Sequence, residues 1–278
     1  MLTDGAITRF APSPTGALHI GHAYAALFAA GNATPGGFLL RIEDIDTTRC
    51  RPAFEAAIHE DLAWLGLSWP QPVRRQSEHF ADYRAALDRL DHQGLLYPCF
   101  CTRADIAAAA GAPHGPDGSI YPGTCRGLST DEQQARRTAG RPYAFRLRMD
   151  EARSAAGALA WHDDVRGEIA AAPEKFGDLV LARKETPASY HLACTLDDAL
   201  QGVTLVTRGE DLFESTHVHR LLQALLDLPT PRYRHHRLLT DASGRKFSKR
   251  DQAPTLRALR ESGKTADDVR ALIERTRA

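Results

Sequence analysis

Hydrophobic and polar positions change their spacing along the chain, and the elements they predict come in a telling order. Ile7 to Phe10 is a short apolar run that reads as a buried strand, after which Pro12, Ser13, Pro14, Thr15 and Gly16 break regular structure. Ala17 to Ala30 is rich in alanine and other good helix formers, and Gly31, Asn32, Pro35 and Gly36 supply a stop. Gly37 to Ile42 predicts a second buried strand, leading into an acidic loop at Glu43, Asp44 and Asp46. Strand, helix, strand is the unit of a parallel sheet, so the expected class is α/β. Apolar residues three to four apart predict further helices over Arg51 to Leu65 and His79 to Gln93.

From Pro98 to about Glu174 the character changes. Glycine and proline are scattered, cysteines are closely spaced, and Tyr143 to Met149 alternates as a short strand would. Residues 98–176 are therefore expected to form an inserted domain between two halves of a catalytic domain, 1–97 and 177–231. Strands are predicted at Asp178 to Ala182 and Leu205 to Thr207, with Asp197 and Asp198 opening a loop between them. A helix from Thr216 to Leu226 follows, Pro229 and Pro231 mark a boundary, and residues 232–278 read as a loop and short helices.

The composition excludes the unusual classes. Of 278 residues, 43% are hydrophobic and 25% charged, which is ordinary for a globular protein and unlike a disordered, collagen-like or coiled-coil chain. No apolar run approaches the ~18 residues that cross a bilayer, and MLTDGAITRF lacks the pattern of a signal peptide, so a cytoplasmic protein without a membrane partner is expected. Lys+Arg and Asp+Glu balance at 35 each, yet Arg232 to Ala278 holds 13 basic against 6 acidic residues. Such a basic tail can hold phosphate, or it can simply be a solvated helical surface. The five cysteines are odd in number and accompany no secretion signal, which argues against disulfides.

Two segments carry chemistry. The string from Arg9 to His22, RFAPSPTGALHIGH, joins a strand, a rigid turn and a helix start bearing His19 and His22. The first amides of a helix are unpaired and its dipole is positive there, so phosphate is favoured. Gly21 would let a flat ligand lie against the backbone. The second segment, Gly244 to Arg250, is a basic loop holding two of only five lysines, Lys246 and Lys249. A lysine on such a loop can stabilise phosphate charge that grows during reaction.

These two segments resemble the HIGH and KMSKS signatures of the class I aminoacyl-tRNA synthetases, in the form typical of their glutamyl branch. LRIEDIDTTR from Leu40, WLGLSW from Trp64, YHLACTLDD from Tyr190 and VTRGEDL from Val206 agree, so the resemblance covers nearly the whole chain. It implies a Rossmann-type domain that joins L-glutamate to the α-phosphate of ATP and holds glutamyl-adenylate. It assigns catalytic roles to His19, His22, Lys246 and Lys249, with Lys249 and Mg²⁺ stabilising the leaving pyrophosphate. ATP would be bound by Pro12, Thr15, Gly16, His19, Gly21, His22 and Lys249. Glutamate would be bound by Arg9, Phe10, Ala11, Pro12, Ser13, Glu43, Tyr190 and Arg208. Arg9 and Arg208 would grip the side-chain carboxylate in two-point geometry, and Glu43 would hold the α-ammonium.

Full-length glutamyl enzymes continue into a large anticodon-binding portion, whereas this sequence ends 28 residues after Arg250. That resembles the short branch, which activates glutamate without tRNA and attaches it to queuosine in the anticodon of tRNA(Asp). The catalytic body would receive the anticodon stem-loop, helped by the inserted domain and a C-terminal stem-contact segment. Cys194, where full-length relatives usually carry asparagine, points the same way; His22 looks more like the full-length pattern. The other readings are a truncated glutamyl-tRNA synthetase charging an acceptor end, and a silent RNA-binding paralogue. A monomer is expected.

Cys99, Cys101 and Cys125 offer three thiolates where Zn²⁺ prefers four ligands. From spacing alone, one structural zinc and three buried or free cysteines both stay open. The resemblance supplies Tyr121 as the fourth ligand, while His114 is the more conventional donor.

Overall fold

The computed structural model describes residues 5–108, 114–116, 118–183, 186–240 and 254–277. The chain begins with β1 (Thr8–Phe10), α1 (Ile20–Gly31), β2 (Phe38–Ile42), α2 (Pro52–Trp64), β3 (Arg74–Arg75), α3 (Phe80–His92) and β4 (Leu96–Cys99). There follow α4 (Arg103–Ala108), the two-residue strands β5 (His114–Gly115) and β6 (Gly118–Ser119), α5 (Thr130–Thr138), β7 (Ala144–Leu147), α6 (Met149–Ala156), β8 (Ala160–Asp163) and β9 (Gly167–Ala170). The last stretch holds β10 (Val180–Arg183), α7 (Tyr190–Leu200), β11 (Leu205–Gly209), α8 (Ser215–Leu225), β12 (Arg232–His236), α9 (Leu256–Glu261) and α10 (Ala266–Arg277).

Parallel pairing joins β1, β2 and β3 on one side, and β11 with β12 and β8 on the other. The Ile7 carbonyl accepts from the Thr204 and Leu205 amides at 3.0 and 3.1 Å, which sets β1 beside β11. β1 therefore has neighbours from the two halves of the chain, and the sheet changes winding direction between β1 and β11. A crevice opens past the carboxyl ends of strands at such a point. This is the α/β Rossmann-type class expected from the sequence.

Two large apolar cores hold these elements together. One gathers Phe10, Ile20, Leu40, Ile42, Ile58 and Leu62 with Leu256, Val269 and Ile273, so α9 and α10 are seated on the first half of the chain. The other joins Tyr83 and Leu87 to Leu147, Leu181, Leu192 and Leu222 behind the antiparallel sheet β10-β7-β4. Part of the C-terminal positive charge is spent on this packing: Arg260 pairs with Glu60 at 3.0 Å, and Arg270 pairs with Asp267 and donates to the Leu65 carbonyl. The hairpin β8–β9 extends the β11–β12 edge.

Three sequence expectations need correction. The first helix begins at Ile20 and not at Ala17, because His19 has extended backbone and acts as its N-cap. Asp197 and Asp198 do not open a loop; both are buried inside α7, where arginines from three strands neutralise them. β12 reads Arg-Tyr-Arg-His-His and looked like loop, yet it runs in five-residue parallel register with β11. Its strand character comes from partners distant in sequence: Tyr233 packs on Trp161, and the His235 amide and ring both bond Asp163.

Candidate functional site

The crevice between β1 and β11 contains a cavity of about 450 Å³. β1 supplies Arg9 and Phe10 and the following loop Ala11; α1 and its cap supply His19, Gly21 and His22; β11 supplies Arg208 and Gly209. Glu43 and Tyr190 close it and also line a neighbouring cavity of about 670 Å³ that includes Ser13 and Thr15. Residues far apart in sequence thus meet where the resemblance implied. Pro12 and Gly16 line neither cavity; the Pro12 carbonyl accepts from the Glu43 amide at 3.0 Å and so positions that carboxylate. Lys246 and Lys249 lie outside the described residues. Leu239, just before that stretch, lines the first cavity, and Thr255, just after it, forms a β-bridge with His19.

The helix tip differs from the expected row of unpaired amides. His19 Nδ1 accepts from the Gly21 amide and His22 Nδ1 accepts from the His19 amide, both at 3.1 Å, a reciprocal capping box built of imidazoles. With both Nδ1 atoms accepting, a neutral ring carries its proton on Nε2, which makes that atom the ring's donor. Gly21 is needed for the cap as well: a Cβ there would lie 3.0 Å from the His19 ring.

Behind the cavity lies a buried ionic network. Asp198 Oδ1 accepts from Arg9 Nε and from an Arg41 terminal nitrogen, each at 2.8 Å. Arg41 also donates to Glu43 at 3.1 Å, while Arg74, Gln76 and Tyr83 hold Asp197. Burial alone would push Asp198 up, but Arg9 and Arg41 outweigh it and bring its carboxyl to about 2. Glu43 goes the other way: burial holds it above the ordinary carboxylate range despite Arg41 and Arg9. Burial, with Asp198 and Glu43 nearby, pushes the Cys194 thiol up to about 12, so it stays neutral.

Arg208 has a different surrounding. It donates from Nε to His235 Nε2 at 3.2 Å, reaches His219 Nδ1 at 3.1 Å and Tyr190 Oη at 3.4 Å, and bonds the Thr216 hydroxyl. Burial and the Arg208 charge keep His219 well below its ordinary value and His235 at about 4, so both imidazoles are neutral at pH 7. Among the described residues no carboxylate pairs with Arg208. Its buried positive charge faces the cavity with only neutral partners, an arrangement that favours an anionic group from a ligand.

Arg41, Asp198, His219 and His235 were missed by sequence reasoning. The available signal for Arg41 was a lone arginine inside the apolar run FLLRI, since a charge in a buried strand must be paired.

A separate cluster brings Cys99, Cys101 and Cys125 together, all three sulfurs lying within 4.8 Å of one another, with the Tyr121 hydroxyl 3.5 Å from Cys101 Sγ. The Phe100 amide donates to Cys125 Sγ, and the Cys125 thiol is lowered despite burial by that bond and by Tyr121. Three thiols and a phenol converging on one point form a donor set that fits zinc. The His114 side chain lies outside what is described. All five cysteines are unpaired, as expected. Changing Cys101 to Ser is expected to release a bound zinc and lower the melting temperature by several degrees, leaving nucleotide binding within a few-fold of wild type. Metal analysis and calorimetry check this, and wild-type protein purified without zinc would rule it out.

Residues 6–276 match the family described as tRNA synthetases class I (E and Q), catalytic domain. Among curated relatives, the Glutamyl-Q tRNA(Asp) synthetase of Rhodobacter capsulatus is 50% identical over 279 residues, covering 96% of this chain and 99% of that one. The Glutamyl-Q tRNA(Asp) synthetase of Nocardia farcinica is 43% identical over 98% of this chain and 84% of its own. The solved glutamate-tRNA synthetase of Elizabethkingia anophelis superposes with a TM-score of 0.73 at 30% identity, over 90% of this chain and 53% of that protein. The chain belongs to the class I synthetase family of the E and Q type, in its glutamyl-Q tRNA(Asp) branch. Among the described residues, no helix is long and apolar enough to cross a membrane.

Proposed function

We propose that the protein activates L-glutamate with ATP and transfers the glutamyl group to queuosine in the anticodon of tRNA(Asp), with activation independent of tRNA. The observation that carries the reading is the buried Arg208, in direct contact with no described carboxylate, in the same cavity as the imidazole-capped tip of α1. The first feature suits a glutamate side chain and the second a nucleotide phosphate.

In this reading the substrate side-chain carboxylate sits on Arg208, with Arg9 adding charge from the adjacent strand β1 and Tyr190 a hydroxyl. Glu43 takes the α-ammonium. Its position on the Pro12 carbonyl and Arg41 fixes the α-carboxylate toward the α1 tip, where an oxygen attacks the α-phosphorus of ATP and the bond to pyrophosphate breaks. The Nε2 edges of His19 and His22 hold phosphate oxygens. Lys246 and Lys249 belong to a stretch anchored at Leu239 and at Thr255, both beside the cavity, so they are assigned to the departing pyrophosphate. Mg²⁺ would add charge neutralisation there. In the second step a cyclopentene-diol hydroxyl of queuosine attacks the glutamyl carbonyl and AMP leaves, giving an ester.

Glutamate-dependent exchange between pyrophosphate and ATP should occur without tRNA, and labelled glutamate should enter tRNA(Asp) only when queuosine is present. Charging of tRNA(Glu) with no effect of queuosine would favour the acceptor-end reading instead.

A pH dependence follows from Glu43. Its carboxyl titrates above the ordinary 4.5, and once protonated it no longer attracts an ammonium. The KM for glutamate is expected to rise roughly tenfold per pH unit below that raised value. In Glu43→Gln the KM should be high throughout and this acid limb absent. Initial-rate measurements from pH 4 to 8 read both, and an unchanged limb in the variant would remove Glu43 from the role.

A further inference from the structure

A third cavity, about 680 Å³, lies on the face formed by α3, the turn after α5, and the sheet β10-β7-β4. Four arginines line it, Arg84, Arg137, Arg141 and Arg183, and among the described residues no carboxylate does. Arg84 leans toward Asp88 at 3.2 Å; Arg137 and Arg141 are exposed and form no ion-pair contact among the described residues, although Arg141 is near enough to help lower the Asp105 carboxyl. Two aromatic rings share this wall, and the exposed Arg137 side chain lies over them. The Arg137 guanidinium lies 4.9 Å from the Tyr143 ring centre and 5.8 Å from that of Phe145, and the two rings meet edge to face at 5.3 Å. The groove adjoins the larger of the two active-site cavities, since Ala182 and Arg183 line both.

We infer that this groove is an RNA-binding surface, in which unpaired bases beside the reacting nucleotide stack on Tyr143 and Phe145 while their phosphates lie on Arg137 and Arg141. Guanidinium groups interleaved with flat rings match the alternation of phosphate and base along a single strand. A groove with positive charge alone would serve any polyanion; the rings narrow the occupant to one with π faces. The direction is set by the shared wall: a strand lying here leads through Ala182 and Arg183 toward Glu43 and Tyr190. The inference rests on the reading that the glutamyl acceptor is RNA, and it adds the surface that holds that RNA.

The test is the double variant Arg137→Ala with Arg141→Ala, compared with Arg137→Lys and Arg141→Lys. Binding is measured on two probes, a tRNA(Asp) anticodon stem-loop and an acceptor minihelix, from 50 mM to 1 M salt. Loss of two phosphate contacts predicts a Kd raised by a factor on the order of 10² at 50 mM, shrinking toward parity at 1 M, and a log–log salt slope shallower by about 1.5. The lysine variant should keep most of the slope, and tRNA-free pyrophosphate exchange should be unchanged in both. Phe145→Leu should weaken binding by roughly tenfold at every salt concentration.

Unchanged affinity and slope in the alanine variant would overturn the assignment, as would failure of the wild type to bind either RNA. Displacement of RNA by polyglutamate of equal charge would also overturn it, since that would mark a site for acidic peptide. The two probes separate this inference from the proposed reaction. Binding that depends on Arg137 and Arg141 with glutamylation independent of queuosine would sustain the groove and defeat the acceptor.

Discussion

Changing Arg208 to Gln is expected to lower kcat/KM for glutamate by a factor on the order of 10²–10³, with the KM for ATP nearly unaltered. The guanidinium is 5% exposed and its described partners are His235, His219, Thr216 and Tyr190, none of them charged at neutral pH. A substrate carboxylate therefore meets a full positive charge in a desolvated setting, and truncating one side of such a pair costs about 2–5 kcal/mol. The lysine variant should recover little, because an ammonium cannot reproduce the planar fork. The neutral imidazoles also explain how such a site distinguishes glutamate from glutamine: a carboxamide would leave the buried charge unanswered. Pyrophosphate exchange with either amino acid reads this directly. If the variant activates glutamate at the wild-type rate, the carboxylate lies elsewhere.

The second large effect is expected on stability. Asp198→Asn removes the negative charge that bridges Arg9 and Arg41, leaving two buried guanidinium groups inadequately neutralised. Loss of one partner from a buried ion pair costs about 3–5 kcal/mol. Its pH dependence has a definite sign. The folded carboxyl titrates at about 2 against 3.8 for the free group, so its contribution is present above pH 3.8 and lost as pH falls toward 2. The stability gap between wild type and variant should therefore be full at pH 7 and narrow through that acid window. Urea unfolding at several pH values measures it. Glutamate KM should rise in parallel, because Arg41 also fixes Glu43. A constant gap down to pH 2 would show that Asp198 is not the charged anchor.

The parts legible in the sequence were those whose signal is local. β1, β2, α2 and α3 followed from runs of apolar residues and breakers, and the motif from Arg9 to His22 named much of the cavity wall. What stayed hidden depends on contacts across the chain. Asp197 and Asp198 look like loop residues because nothing near them in sequence is positive; Arg9, Arg41 and Arg74 reach them from positions at least 123 residues away. β12 has no hydrophobic alternation of leucines or valines, since Tyr233 and the histidines do the burying. The tip of α1 was expected three residues too early, and its cap was hidden: periodicity cannot reveal that two histidine rings accept from the first amides.

The bridge between His19 and Thr255 ties the start of α1 to the chain just beyond the basic stretch, and the Leu256 amide reinforces it by donating to the Leu18 carbonyl at 2.9 Å. His19 therefore acts twice, its ring capping α1 and its main chain pairing with Thr255. A side-chain substitution at His19 should therefore uncap α1 while leaving in place the main-chain clasp that staples its first turn to the start of α9.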